Sequence, residues 1–497
     1  MKIKNIYLMV LALGLLVSSC ELSDNIDPKA ATTVPEEVLL TNALRDGLAH
    51  IDNMSQNVNV GRFLCQYSSQ VQYTDPSRYS FSDRQIPDGY WNTSYLVLRD
   101  LMEVRGLLDA YPAGSADFNL EIGNKKAIVD VMEVLMYQNL VDYFGDVPYS
   151  EALGGFDNKT PAYDDARTIY DDLQARLTAD IAALNAGADA GSWGSEDLVF
   201  GGDPSMWRAF AATLKLRMGM RLVEVDRAKA QSEVSAAIAA GPLAPGESVQ
   251  LPWVGVTPHV NTIYQVFVVD NRNDYCPSKT IIDIMLNLND ARLPAYFTQV
   301  DTSTEVGVEK WVYNGLPYGL VANSGYSQIS HYSDAMFLPD FPATFACNAE
   351  VEFLLAEAAA RGLTVDGLSA QEHYEAGIAE SHALWGVEMD PAYLTGSDVA
   401  WDAARAKELI GIQKWLALYN RGNEGYATWR CFDWPVLAEA EELTYADIPM
   451  RMPFPYNEPS RNFDSYTAAA AAIGGDNVRT LLFWDAAIST QTPSAGF

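Results

Sequence analysis

Two stretches of the sequence concentrate side chains that recognise a ligand better than they transform one. The first, residues 67–90, carries Tyr73, Tyr79 and Arg84. The second, residues 243–345, carries Trp253, Tyr264, Arg272, Asp274, Tyr275, Trp311 and Tyr332. Tyr and Trp rings offer a flat apolar face with a polar tip. Sugars present apolar C–H faces to such rings while their hydroxyls need polar partners, which arginine and aspartate supply. Peptides use the same platforms with side-chain pockets. These residues are the candidate ligand face.

Catalytic signatures are missing beside them. The chain has no G-x-S-x-G, no H-E-x-x-H and no phosphate-cradling glycine loop. Its histidines, His50, His259, His331, His373 and His382, have no metal-ligand spacing, and no C-x-x-C occurs. The 65 acidic residues leave room for a carboxylate pair or a structural calcium, but no spacing specifies either. The expectation is a binding protein without catalysis, metal or cofactor. A net charge of −32 argues against nucleic acid, whose phosphates would repel it.

The elements that must position these loops are mainly helical. Apolar residues at three-four spacing predict helices over about 36–56, from Trp91 onward, 125–144 and 163–184. Asp203 as N-cap and Pro204 at the first helical position open another, with Trp207, Phe210, Leu214 and Met218 on its inner stripe. Asn348 is expected to cap an Ala-rich helix ending at Gly362. Ser369-Ala-Gln-Glu372 reads as a capping box that starts its partner. Together these two have the size of a tetratricopeptide hairpin. A further helix covers about 403–419. Between them, 243–345 has little periodicity and many aromatics, as a long functional insertion would. The fold class is all-α, a scaffold of helical hairpins with aromatic loop insertions forming the ligand face. Trp207 and Trp415 read as core, and Arg292 and Arg451 as fold-holding ion pairs. Four cysteines, Cys65, Cys276, Cys347 and Cys431, allow three disulfide pairings or none.

The N-terminus sets the compartment. Lys2 and Lys4 precede an apolar run, Ile6 to Val17, which ends in Val17-Ser-Ser-Cys20. This layout is a secretory signal, and the run is shorter than the roughly 20 residues that span a bilayer. Small residues before a cysteine resemble a bacterial lipobox. The expected organisation is a signal peptide over 1–19, a lipidated tether over 20–35 beginning at Cys20, and one α-helical domain over 36–497.

Seven segments, in order, carry a wider resemblance. They are LVDYFGDVPY at 140–149, GGDPSMWRAFAATLKLRMGMR at 201–221, LNDARLPAYF at 288–297, EVEFLLAEAAARG at 350–362, IQKWLALY at 412–419, IPMRMPFPYNE at 448–458 and LLFWD at 481–485. The set resembles the SusD/RagB family of Bacteroidetes outer-membrane lipoproteins, in its SusD-like branch. The usual Asp-Pro-Arg-Leu stands here as Asp290-Ala-Arg-Leu293, and a usual arginine pair has one member in Trp429-Arg-Cys-Phe432. The resemblance implies a tetratricopeptide-like scaffold, a ligand face built from the two aromatic regions, and no catalysis. It also implies a SusC-like TonB-dependent transporter as partner. The chain would sit on the cell surface, anchored in the outer membrane by lipid on Cys20, and deliver a small oligosaccharide or another nutrient to that barrel. A peptide cargo and a helical-repeat scaffold for protein partners are the alternatives. Glu21, Asp24 and Asp27 resemble the surface-export signal of such lipoproteins.

Overall fold

The computed structural model describes residues 34–55, 59–303, 308–321, 325–440, 448–485 and 493–497. Cys20, the signal segment and all but the last two residues of the 20–35 tether lie outside the described residues. No helix among those described is long and apolar enough to cross a membrane.

The longer helices are α1 (Glu36–Asp52), α2 (Ile86–Asp109), α3 (Ala116–Phe144), α4 (Ala166–Ala186), α5 (Pro204–Arg221), α6 (Arg227–Ala240), α7 (Lys279–Asn287), α8 (Asn348–Ala360), α9 (Ala370–Leu384), α10 (Ala406–Ala417), α11 (Gly422–Phe432) and α12 (Phe463–Ala472). They pack as sequential pairs: α1 on α2, α3 on α4, α5 on α6, and α8 on α9, with α10 against both α8 and α11. The fold is the expected all-α, tetratricopeptide-like arrangement. Short antiparallel strand pairs stitch the insertion to it. They are β1 (Ser68–Gln70) with β3 (Tyr275–Pro277), β2 (Ser248–Leu251) with β6 (Ala343–Cys347), and β4 (Val300–Asp301) with β5 (Trp311–Val312).

Local chemistry explains the helix boundaries. Asp203 accepts from the Ser205 amide and opens α5 as its sequence predicts. The capping box at Ser369 and Glu372 forms in both directions. Gly145 closes α3 at φ 81°, a left-handed position that a side chain would strain. Three expectations need correction. The third helix starts at Ala116, capped by Ser115, well before Lys125. Asn348 is the first helical residue and not the cap; its Nδ2 donates to the Leu243 carbonyl, fastening α8 to the insertion. Four helices, α6, α7, α11 and α12, were not anticipated: α6 and α12 are Ala-rich without a clear stripe, α11 is buried on most sides, and α7 lies inside the aromatic insertion read as irregular.

Trp207 and Trp415 are fully buried in the core. Arg292 pairs with Asp290 at 2.6 Å and Arg451 with Asp476 at 2.7 Å, both as expected of fold-holding pairs. Arg292, with hydrogen bonds beside its charge, outweighs burial and holds Asp290 down at about 2. A larger buried network joins the helices: Glu350 on α8 takes Arg217 from α5 at 2.6 Å and Arg421 from the α10–α11 turn. Cys65, Cys276, Cys347 and Cys431 are all free thiols.

Candidate functional site

The loop between β1 and α2 meets the loop before β3 at the end of a hydrogen-bonded ladder. Ser68 lies opposite Pro277 and Gln70 opposite Tyr275. One more rung follows, the Val71 amide donating to the Asp274 carbonyl at 2.9 Å. Beyond that rung the two chains part. They leave a depression of about 540 Å³ lined by Gln72, Tyr73, Arg84 and residues 271–274. A ladder between segments two hundred residues apart thus brings Tyr73, Arg84, Arg272 and Asp274 together.

Tyr73 is the centre of this depression. Its ring is 53% exposed, unusual for so large an aromatic. The Arg84 guanidinium lies 5.0 Å from the ring centroid and that of Arg272 lies 5.8 Å away. Such cation–π contacts contribute about 0.5–1 kcal/mol each at exposed sites. Each arginine is held by a carboxylate: Arg84 Nε donates to Asp75 at 3.0 Å, and Arg272 Nε donates to Asp274 at 2.8 Å. Partial burial pulls the Arg272 pKa down, but the bond from Asp274 and the neighbouring tyrosines and carboxylate raise it further, so its charge is secure. Both chains turn through left-handed backbone here, Tyr73 at φ 53° and Asn271 at φ 51°. Asparagine tolerates that region; tyrosine does so only under constraint, and such strain concentrates at binding sites.

The remaining expected ligand residues are placed elsewhere. Tyr79, Tyr275 and Tyr332 are buried in the core. Tyr79 packs on Tyr318, Tyr275 sits between Phe63 and Phe267, and the Tyr332 hydroxyl shares a hydrogen bond with Ser68 Oγ at 2.8 Å. None of the three lines the depression; Arg272, 5.8 Å over the Tyr275 ring, links that buried ring to it. Trp253 and Tyr264 are half-buried and do not line it. Trp311 is 55% exposed on β5, its indole Nε1 donating to Glu309 at 2.9 Å. A loop aromatic reads the same in sequence whether it faces in or out, which is why the expected set divides this way.

A second concavity was not anticipated. It measures about 580 Å³ and lies where the ends of α9 and α10 face the insertion. Phe297, Tyr313, Phe341, Trp385 and Tyr419 contribute its aromatic wall. Trp385 is central, 5.6 Å from Tyr419 and 6.0 Å from Phe341 between ring centroids. The one available signal was a tryptophan directly after the capping-box helix, where the chain leaves the core.

Among the described residues no group of three or more His, Cys, Asp or Glu side chains is placed to hold a metal ion. Residues 28–455 match the SusD-like family described as "starch-binding associating with outer membrane". The chain belongs to this family. SusD-like proteins bind and do not catalyse, and the family is associated with the outer membrane. No curated protein sequence matches this SusD-like chain. Solved structures resemble it throughout. A chitin-binding protein is 25% identical at a TM-score of 0.76, the match covering 91% of this chain and 99% of that one. A SusD homolog from Bacteroides vulgatus is 21% identical at a TM-score of 0.78, covering 91% and 98%. A chitin-binding SusD homolog from Flavobacterium johnsoniae is 23% identical at a TM-score of 0.76, covering 90% and 99%.

Proposed function

We propose that this SusD-like protein captures a glycan at the cell surface on the Tyr73 depression and delivers it to a SusC-like TonB-dependent transporter in the outer membrane. The observation that carries the reading is the ladder that holds an exposed, strained Tyr73 between Arg84 and Arg272. A sugar ring stacks on the tyrosine while its hydroxyls meet the arginine forks and the amides of Gln72 and Asn271. The family description and the two chitin-binding relatives support a glycan over a peptide. Both arginines already have carboxylate partners, which favours a neutral glycan over a strongly anionic one.

The anchor belongs to the same proposal. Lipid on Cys20 would tether the domain through residues 21–35, close enough to cover its transporter and free enough to hinge. A single acyl chain anchors weakly, so more than one chain on Cys20 is implied.

Calorimetry with malto- and chito-oligosaccharides tests the capture step. Wild type is expected to bind one of these series, and Arg272→Ala to weaken that binding at least tenfold. Unchanged affinity in Arg272→Ala would sink the site. Mild-detergent purification from outer membranes is expected to recover a large barrel protein with the chain. Cys20→Ala is expected to move the chain out of the membrane fraction. Failure to recover any barrel would remove the transporter from the proposal.

A further inference from the structure

The aromatic cavity behind the insertion has no part in the reading above, yet it has the chemistry of a binding site. Its volume of about 580 Å³ falls within the range of about 300–1,000 Å³ typical of small-ligand pockets. Five separate stretches of chain converge on it: 294–299, 313, 333–344, 384–385 and 417–421, with Gln250 added from β2.

Charge narrows the ligand class. Of the acidic and basic residues in the wall, Asp334 is exposed at the rim and Arg421 is buried. Arg421 is already committed: its Nη2 pairs with Glu350 and donates to the Phe345 carbonyl at 2.8 Å. No cation is therefore available to an anionic ligand. Hydroxyls and amides make up the other polar positions, including Gln250, Thr298, Gln299 and Asn420. Such groups both donate and accept, as sugar hydroxyls do.

Asn420 points to a ligand independently of the cavity's shape. It is only 8% exposed and sits at φ 71°. Its Oδ1 accepts from Arg62, while its Nδ2 has no partner among the described residues. Two further polar atoms of the same wall, Trp385 Nε1 and Ser333 Oγ, are buried without partners. Buried polar atoms left unpaired are costly, and natural structures rarely leave them.

We propose that this cavity is a second binding site, distinct from the Tyr73 depression, that takes the end of a short neutral oligosaccharide. The sugar face lies against Trp385 and Phe341, and a ring hydroxyl or acetamide carbonyl accepts from Asn420 Nδ2. The surrounding amides meet the remaining hydroxyls.

Fluorine NMR of protein labelled with 5-fluorotryptophan tests this, with the Trp385 resonance assigned by Trp385→Phe. The probes are maltotriose, cellotriose and chitotriose, with acidic trigalacturonate as the charged comparison. A saturable shift of the Trp385 resonance is expected with at least one neutral trisaccharide, in wild type and in Arg272→Ala alike. Trigalacturonate is expected to give none. Ala335→Trp, which narrows the cavity, is expected to weaken the Trp385-reported affinity at least tenfold. No Trp385 shift with any neutral probe overturns the proposal, whatever Ala335→Trp does. Calorimetric heat that Arg272→Ala abolishes, with Trp385 silent, would overturn this site while the Tyr73 reading stands. An equal shift with trigalacturonate overturns the neutral class.

Discussion

The two concavities solve the problem of holding rings for a ligand in opposite ways. The Tyr73 depression is open, charged and built from two loops. Its arginines are partly exposed, Arg84 sharing Asp75 with Arg78 and Arg272 paired with Asp274. The aromatic cavity is walled by helix ends and the insertion. Its one buried arginine, Arg421, runs back through Glu350 to Arg217 in the scaffold. In the first site, charge is held in short local pairs whose arginines reach solvent, so it can change with little effect on the rest of the fold. In the second, the wall is continuous with a buried ion network that ties the scaffold helices together. A concavity built on loops and one built on a scaffold therefore differ in what a mutation costs.

The largest effect expected from that contrast is Glu350→Ala. It removes the carboxylate of buried Arg421 and leaves buried Arg217 only its longer 3.4 Å pair with Glu424, and a loss of about 3–5 kcal/mol is expected in urea unfolding. A loss under about 1 kcal/mol would mean that the cavity wall does not depend on the network. The next effect is a pH dependence. Arg62 bridges the two layers, donating to Asn420 in the cavity wall and to Asp52 in the core. Burial raises the Asp52 pKa to about 6, against the pull of Arg62 and Thr262. A raised folded pKa means that the folded protein holds this proton more tightly. The stability it contributes is full below the unfolded value near 3.8 and is lost as pH rises through about 6. Between about pH 4 and 6 wild type is expected to lose stability relative to Asp52→Asn, read from urea midpoints across that range. Parallel curves would refute the assignment.

Smaller effects belong to the open site. Tyr73→Ala is expected to lower glycan affinity roughly tenfold, equivalent to about 1.4 kcal/mol, with little change in the unfolding midpoint. A large midpoint shift would make Tyr73 a structural residue like Tyr79. Asp274→Asn is the smallest. Asp274 is buried, but Arg272 is a third exposed and an asparagine oxygen can still accept from it, so a cost of about 1 kcal/mol is expected. A cost near that of Glu350→Ala would erase the distinction between the two regions.

The helices were legible where local chemistry sets them. Asp203-Pro204 and Ser369 with Glu372 fixed two helix starts, and Gly145 a helix end, because capping is decided within a few residues. Asn348 misled for the same reason in reverse: its side chain bonds to Leu243, a partner a hundred positions away that no local rule contains. The Tyr73 depression was half legible. Tyr73, Arg84, Arg272 and Asp274 stood out as residue types, but nothing local separated them from Tyr79, Tyr275 and Tyr332. The aromatic cavity was not legible, because Phe297, Phe341, Trp385 and Tyr419 meet only after distant segments pack.

By itself the sequence determined an all-α scaffold, the family, and the absence of a known catalytic motif, since each rests on short-range patterns or on an ordered series of them. The tertiary structure alone decided which aromatic rings reach solvent, that Cys65, Cys276, Cys347 and Cys431 stay free, and that two separate concavities form. Those outcomes depend on which side of a strand or helix end meets a partner from elsewhere in the chain. The β1–β3 ladder is the clearest instance. Its final rung, Val71 to Asp274, sets Tyr73 facing outward beside two arginines while Tyr275, one residue further on, turns into the core. Both strands of the ladder are buried along their whole length, so no alternation in the sequence marks an outside; Tyr73 reaches solvent because the two chains part beyond the last rung.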